Sequence, residues 1–205
     1  MNAAEPVVHL VDDDPFFLTA VSRLLRASGH KVLPFSSASA FLLQHGADTA
    51  GCVVADLQMP GLDGLGLQAA LAATKNPLPV LFLTGEGDIA STVRAMRNGA
   101  EDFLEKRAPK EDLLDAVQRA LARDAREREA RCRHLALRAR LDALTQRERE
   151  VLGHVVQGRL NKQIAADLGI HERTVKLHRT AITTKLGVRS SAELARFVQQ
   201  AGTAV

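Results

Sequence analysis

Three consecutive carboxylates, Asp12, Asp13 and Asp14, follow directly on the apolar run VVHLV, and Asp56, Thr84 and Lys106 end three later apolar runs. Carboxylates at close quarters repel one another unless a cation intervenes, and an oxygen-rich set with room for water suits Mg²⁺. Such an ion polarises an incoming phosphoryl group, so Asp56 can attack it while Thr84 hydrogen-bonds one phosphoryl oxygen and Lys106 neutralises another. Taken alone, Asp12, Asp13 and Asp14 also read as a helix N-cap and turn. A second chemistry lies near the other end of the chain. A helix over 172–186 exposes Arg173, Lys176, Leu177, Thr180 and Lys185, cationic and small side chains on one face that suit a DNA major groove. The chain has no Trp and no Tyr, so stacking of single-stranded bases on aromatic rings is not its mode.

The elements that must position these groups are legible in the apolar pattern. Strands are expected at 7–11, 31–35, 52–55, 80–83 and 102–105, alternating with amphipathic stretches such as Phe17, Val21, Leu24 and Leu25, or Ile89, Val93 and Met96. Continuously apolar strands alternating with helices imply an α/β fold, a doubly wound five-stranded parallel sheet covered on both faces. Its chemistry belongs at the carboxyl ends of the strands, where Asp12, Asp13, Asp14, Asp56, Thr84 and Lys106 all fall.

Pro109, followed by Lys110, Glu111 and Asp112, starts the last helix of this domain. Beyond Leu121 the apolar seam is interrupted by Asp124, Arg128 and Arg131, so 122–141 reads as a charged, mostly solvated helical linker, with a coiled-coil seam as the alternative. Domains are therefore expected at 1–121 and 142–205. In the second, Thr145 with Glu148 and Ser190 with Glu193 have capping-box spacing, and Gly158, Gly169 and Gly187 stop helices. Four helices result, at about 146–157, 161–168, 172–186 and 191–200.

Charge divides along the same line. Residues 1–120 carry 10 Lys and Arg against 15 Asp and Glu, whereas 121–205 carry 17 against 9, so the overall +3 hides a basic C-terminal part suited to a polyanion. No run approaches the ~20 apolar residues of a membrane span, and the N-terminus lacks a signal-peptide pattern, so a cytoplasmic protein without membrane contact is expected. Cys52 and Cys132 have no C-x-x-C spacing, which argues against a disulfide framework or zinc site.

The motifs VHLVDDDP, VVADLQMPGLDG, LFLTGEGD and GAEDFLEK resemble, in order, the landmarks of CheY-like receiver domains in two-component response regulators. The resemblance implies Asp56 as phosphoacceptor and a Mg²⁺ site of Asp13, Asp14, Asp56 and the Gln58 backbone, with Asp12 adjacent and able to share the acidic-pocket role. It further implies Thr84, Phe103 and Lys106 as switch residues, and Gln58 and Glu86 as residues that tune dephosphorylation. The T-G-x-G-D form at 84–88 is most like the FixJ-like subgroup. The segments T-x-R-E-x-E-V-L, N-K-x-I-A, R-T-V-K-x-H and K-L-G-V resemble the four-helix helix-turn-helix domain of LuxR/NarL/FixJ-type regulators over 142–200. By that resemblance Lys176, Leu177 and Thr180 face bases, while Lys162, Arg173, Thr174, Arg179 and Lys185 contact phosphates.

The implied function is a phosphorylation-dependent transcription regulator that binds double-stranded DNA. The resemblance implies no enzymatic activity beyond slow self-dephosphorylation. A histidine kinase would phosphorylate it, it would form a homodimer on phosphorylation, and RNA polymerase would be a further partner. One departure stands out, because Arg107 rather than proline follows Lys106. A non-proline cis bond costs ~2.5–4 kcal/mol, so a trans bond or a strained loop is expected there. A phosphohydrolase with an aspartate nucleophile shares the order Asp12-x-Asp14, Thr84, Lys106, but a further acidic motif and a cap domain are missing. A receiver that binds DNA constitutively is the remaining alternative.

Overall fold

The computed structural model describes residues 5–46, 49–74, 76–85 and 89–202. The chain divides into two compact units, Met1–Arg128 and Glu129–Val205. The first alternates β1 (Val7–Val11), α1 (Pro15–Ala27), β2 (Lys31–Phe35), α2 (Ala38–Gln44), β3 (Gly51–Asp56), α3 (Gly64–Ala72), β4 (Val80–Thr84), α4 (Ile89–Arg97) and β5 (Asp102–Glu105). The helix α5 (Lys110–Asp142) follows, and α6 (Gln146–Val156), α7 (Asn161–Leu168), α8 (Glu172–Leu186) and α9 (Ser191–Gln200) complete the chain.

The sheet is wholly parallel in the order β2-β1-β3-β4-β5. Strand side chains alternate between faces, so β3 sends Val53 and Ala55 into a core with Phe41, Leu67 and Ala95. The same strand sends Cys52 and Val54 into the opposite core, with Leu25, Leu113 and Val117. Both faces are thus covered by helices, which places chemistry at the carboxyl ends of the strands.

Gly51 fits its position for lack of a side chain. Its φ is +126°, and a Cβ there would lie 1.8 Å from the Val7 carbonyl oxygen. Its N–H donates to Asp124 Oδ2 at 2.9 Å, and Arg128 Nε reaches the same oxygen at 2.8 Å. Asp124 is fully buried, an exception within 122–141, most of whose residues are exposed as expected. Leu137 and Leu141 of the same helix pack into the core of the second unit. Replacing Asp124 by Ala strands the Gly51 N–H and leaves Arg128 unpaired, and should cost about 2–3 kcal/mol in urea unfolding, with Asp124→Asn costing less because it still accepts the hydrogen bond.

His9 is the other buried polar group of note. It is 6 % exposed and packs between Phe35 and Phe41, at ring-centroid distances of 6.1 and 5.2 Å. Burial, helped by the nearby His45, pushes its pKa down to about 4. Above the unfolded value near 6.5 the imidazole is neutral in both states and contributes no pH dependence. As pH falls from there toward 4 only the unfolded chain takes the proton, so stability should drop by on the order of 3 kcal/mol. Unfolding free energies from pH 7 to pH 4 check this, and His9→Leu should flatten that limb.

Candidate functional site

Parallel register brings the acidic residues together. Val11 pairs with Ala55 and Asp56 with Leu83, so Asp12, one residue beyond β1, lies beside Asp56 at the end of β3. Asp12, Asp13 and Asp56 each offer an oxygen, all within 4.8 Å of one another. Asp12 is 1 % exposed and Asp56 8 %, whereas Asp13 is exposed and open to water. Burial pushes the Asp12 carboxyl upward; Lys106 and the Asp14 N–H oppose this, and the negative charge of Asp56 adds to it.

The acidic set differs from expectation at one member. Asp14 Oδ1 accepts the N–H groups of Phe16 at 2.8 Å and Phe17 at 3.2 Å, and so serves as the N-cap of α1. Asp12 stands in the position expected of Asp14. A run of three aspartates carries no periodicity to separate these roles; the residue count from the strand end does, because the first residue past β1 meets the end of β3.

Lys106 closes the site. Its Nζ lies 2.6 Å from Asp12 Oδ2 and 2.8 Å from Asp56 Oδ2. Burial works against its charge, but the two carboxylates outweigh that and raise its pKa. Among the described residues no peptide is cis and no residue other than glycine has positive φ, so Arg107 neither adopts a cis bond nor strains the loop. Instead Lys106 N–H donates to the Thr84 carbonyl at 2.7 Å, and Ala108 N–H turns back to the Glu105 carbonyl at 2.9 Å. The side chain of Arg107 points to solvent and pairs with Glu105 at 2.6 Å. Lys106 therefore reaches the site without a proline. Sequence reasoning missed Phe17 here, whose ring lies 4.3 Å from Lys106 Nζ.

Thr84, at the end of β4, is 1 % exposed, and Phe103 is half-buried with its ring 6.1 Å from that of Phe82. Gln58 is exposed, and its N–H donates to Asp56 Oδ1 at 3.3 Å. Gly64 opens α3 directly behind this loop, where a Cβ would lie 2.4 Å from the Asp56 carbonyl oxygen. Glu86 falls outside the described residues.

In the second unit, Val151, Leu152, Ile164, Val175, Ile182 and Leu186 form the core that orients α8. Arg173, Lys176, Leu177 and Thr180 are exposed along it, Leu177 at 64 %, and Thr174 and Arg179 are half-buried. Lys162 is exposed on α7, and Arg179 Nη1 donates to Asn161 Oδ1 at 3.1 Å, tying the two helices. Lys185 is engaged differently from expectation. Its Nζ lies 2.7 Å from Glu148 Oε2, a buried carboxylate that also accepts the Thr145 N–H at 2.7 Å in the capping box of α6. The hydrogen bond from Lys185, then that from Thr145, holds the Glu148 carboxyl below the usual range. The cation of Lys185 thus neutralises an internal acid. The nominal caps of α7 and α8, Leu160 and His171, accept no side-chain hydrogen bond; at α7 the Gln163 carbonyl takes the Leu160 N–H at 2.9 Å.

Comparison with known proteins gives the same two parts. Residues 8–118 match the family described as response regulator receiver domain, and 142–198 match the bacterial regulatory proteins of the luxR family. Response regulator protein TmoT of Ectopseudomonas mendocina is 42 % identical over 200 residues, covering 98 % of this chain and 91 % of that protein. Transcriptional regulatory protein FixJ of Azorhizobium caulinodans is 40 % identical over 197 residues, covering 96 % and 93 %. Among solved structures, response regulator StyR superposes with a TM-score of 0.88 at 43 % identity, over 96 % of this chain and all of that one. Full-length FixJ from B. japonicum gives a TM-score of 0.58 at 34 % identity, over 98 % of each chain.

Proposed function

Because the chain belongs to the two-component response regulators that join a receiver domain to a LuxR-type DNA-binding domain, we propose that Asp56 accepts the phosphoryl group that controls its DNA binding. The family is one of phosphoryl-accepting transcription regulators, with a histidine kinase as donor and DNA as target. The observation that carries the assignment of Asp56 is its carboxylate, 2.8 Å from Lys106 Nζ and grouped with Asp12 and Asp13 at the rim of the sheet.

The donor set supports a hard divalent cation, since three carboxylate oxygens lie within 4.8 Å of one another and Asp13 is open to solvent. Asp12, Asp13, Asp56 and the Gln58 carbonyl would hold Mg²⁺, which when bound neutralises charge on the incoming phosphoryl group. An oxygen of Asp56 attacks phosphorus, and the bond from phosphorus to the donor's nitrogen or oxygen breaks with its electron pair leaving on the donor. Lys106 then turns from the aspartate to a phosphoryl oxygen, and the Thr84 hydroxyl donates to another. That draws β4 and the side chain of Phe103 inward. Gln58 and Glu86 set how fast water removes the group.

The surface that responds is α4, where Ile89, Val93 and Met96 are 83 %, 42 % and 45 % exposed. Homodimerisation through this apolar face would bring two copies of α8 to one duplex. Lys176, Leu177 and Thr180 read bases, and Lys162, Arg173, Thr174 and Arg179 bind phosphates, from where DNA-bound protein contacts RNA polymerase. Lys185 leaves the phosphate-binding set, because Glu148 already takes its charge. Among the described residues no helix is long and apolar enough to cross a membrane.

Incubation with acetyl phosphate and Mg²⁺ tests this reading. Mass spectrometry should find one added phosphoryl group on the peptide holding Asp56, and EDTA should stop its uptake. Uptake indifferent to EDTA would contradict the metal assignment, and modification elsewhere would contradict that of Asp56.

A further inference from the structure

Lys106 reaches Asp56 from a loop without the proline that usually shapes it, so another feature must aim the side chain. Its ammonium has three N–H donors. One is donated to Asp56 Oδ2 at 2.8 Å, Asp12 Oδ2 forms an ion pair with the same nitrogen at 2.6 Å, and the Phe17 ring lies over it at 4.3 Å. A cation over an aromatic face is attracted by the negative quadrupole of the ring, most strongly where water is excluded, and Lys106 is only 20 % exposed. Phe17 is itself fixed. Its N–H donates to the N-cap carboxylate of Asp14 at 3.2 Å, and its ring is half-buried against the core that α1 shares with the sheet.

We propose that Phe17 is a positioning residue for the phosphorylation chemistry, its ring being the third wall that holds Lys106 Nζ at Asp56. This rests on the assignment of Asp56 and Lys106 above. A ring face suits the task better than a further hydrogen-bond acceptor. Its attraction has no single donor direction, so the ammonium can shift from the aspartate to a phosphoryl oxygen while staying over the ring. It also adds no negative charge beside Asp12, Asp13 and Asp56, where another carboxylate would raise the repulsion. The third aspartate of the run thereby has a part in the site, since Asp14 caps the turn that carries Phe17.

Two measurements separate this proposal from the reading beneath it. In the unmodified full-length protein, the ring should shift the NMR signals of the Lys106 Cε protons upfield of those of the other lysines. The shift should vanish in Phe17→Leu and persist in Phe17→Trp, and its absence from the wild type overturns the proposal whether or not Asp56 is the acceptor. In the second, Phe17→Leu should slow uptake from acetyl phosphate about two- to five-fold, with Phe17→Trp restoring the rate. In a Lys106→Met background the same change should have no further effect. An unchanged rate in Phe17→Leu, or equal slowing with and without Lys106, would mean that Phe17 only packs α1. A wild-type protein modified at another residue would instead remove the Asp56 assignment, leaving the NMR result to stand by itself.

Discussion

Asp56→Asn should reduce phosphoryl uptake from acetyl phosphate below detection while the protein stays folded. The amide oxygen is a poor nucleophile, and of the two buried carboxylates beside Lys106, Asp56 is the more open to an incoming group, 8 % exposed against 1 % for Asp12. The fold should survive, because the substitution removes one of two carboxylates held at a single lysine. Asp12 still pairs with Lys106 at 2.6 Å, and loss of the negative charge of Asp56 removes one of the causes that raise the Asp12 carboxyl. Mass spectrometry of the intact variant after incubation, with circular dichroism for folding, makes the check. A stable phosphoryl group on the folded variant would transfer the acceptor role to Asp12 or Asp13, the neighbouring carboxylates of the cluster.

The second large effect belongs to α8. Lys176 is exposed, and its ion pair with Glu172, at 3.6 Å, is a surface contact of small value that gives way readily to a base edge. Lys176→Ala should weaken binding to the preferred operator by about 1–3 kcal/mol and relax preference at the base pairs it reads, leaving non-specific binding closer to its former value. Lys162→Ala should act otherwise, weakening all DNA alike and lowering the salt slope by ~1. Lys185→Ala provides the contrast, because its charge is spent on Glu148. It should leave the slope nearly unchanged and destabilise the helical domain instead. Binding isotherms on specific and random duplexes over a range of salt separate the three, and an unchanged preference in Lys176→Ala would remove it from base reading.

Where a residue's role follows from its own neighbourhood in the chain, it was legible. Apolar runs of β-branched and leucine residues marked the strands to within a residue, and β3 extends the expected 52–55 only by Gly51 and Asp56. Neither is a strand former, and both are held by pairing with neighbouring strands. The helices of the second unit were readable from glycine stops and N-caps, the Thr145–Glu148 capping box forming in full and the Ser190 hydroxyl taking the Glu193 N–H while the Glu193 carboxylate accepts from Arg189 instead. Roles that depend on distant partners were not. Asp124 looks like a solvated charge because the N–H it accepts lies 73 residues away, and Lys185 looks like a free cation because its carboxylate lies 37 residues away. The interchange of Asp12 and Asp14 has the same origin. Each is an aspartate beside a strand end, and the register with β3 decides which one faces Asp56.

If chemistry at the acidic rim controls DNA binding by the helical domain, the affinity of the protein for operator DNA should differ before and after treatment with acetyl phosphate and Mg²⁺, measured beside Asp56→Asn treated in the same way. A coupling of ordinary size, about 1–3 kcal/mol, predicts that treatment tightens wild-type binding roughly 5- to 150-fold and leaves Asp56→Asn unchanged. Equal affinity of the phosphorylated and unmodified wild type would contradict it.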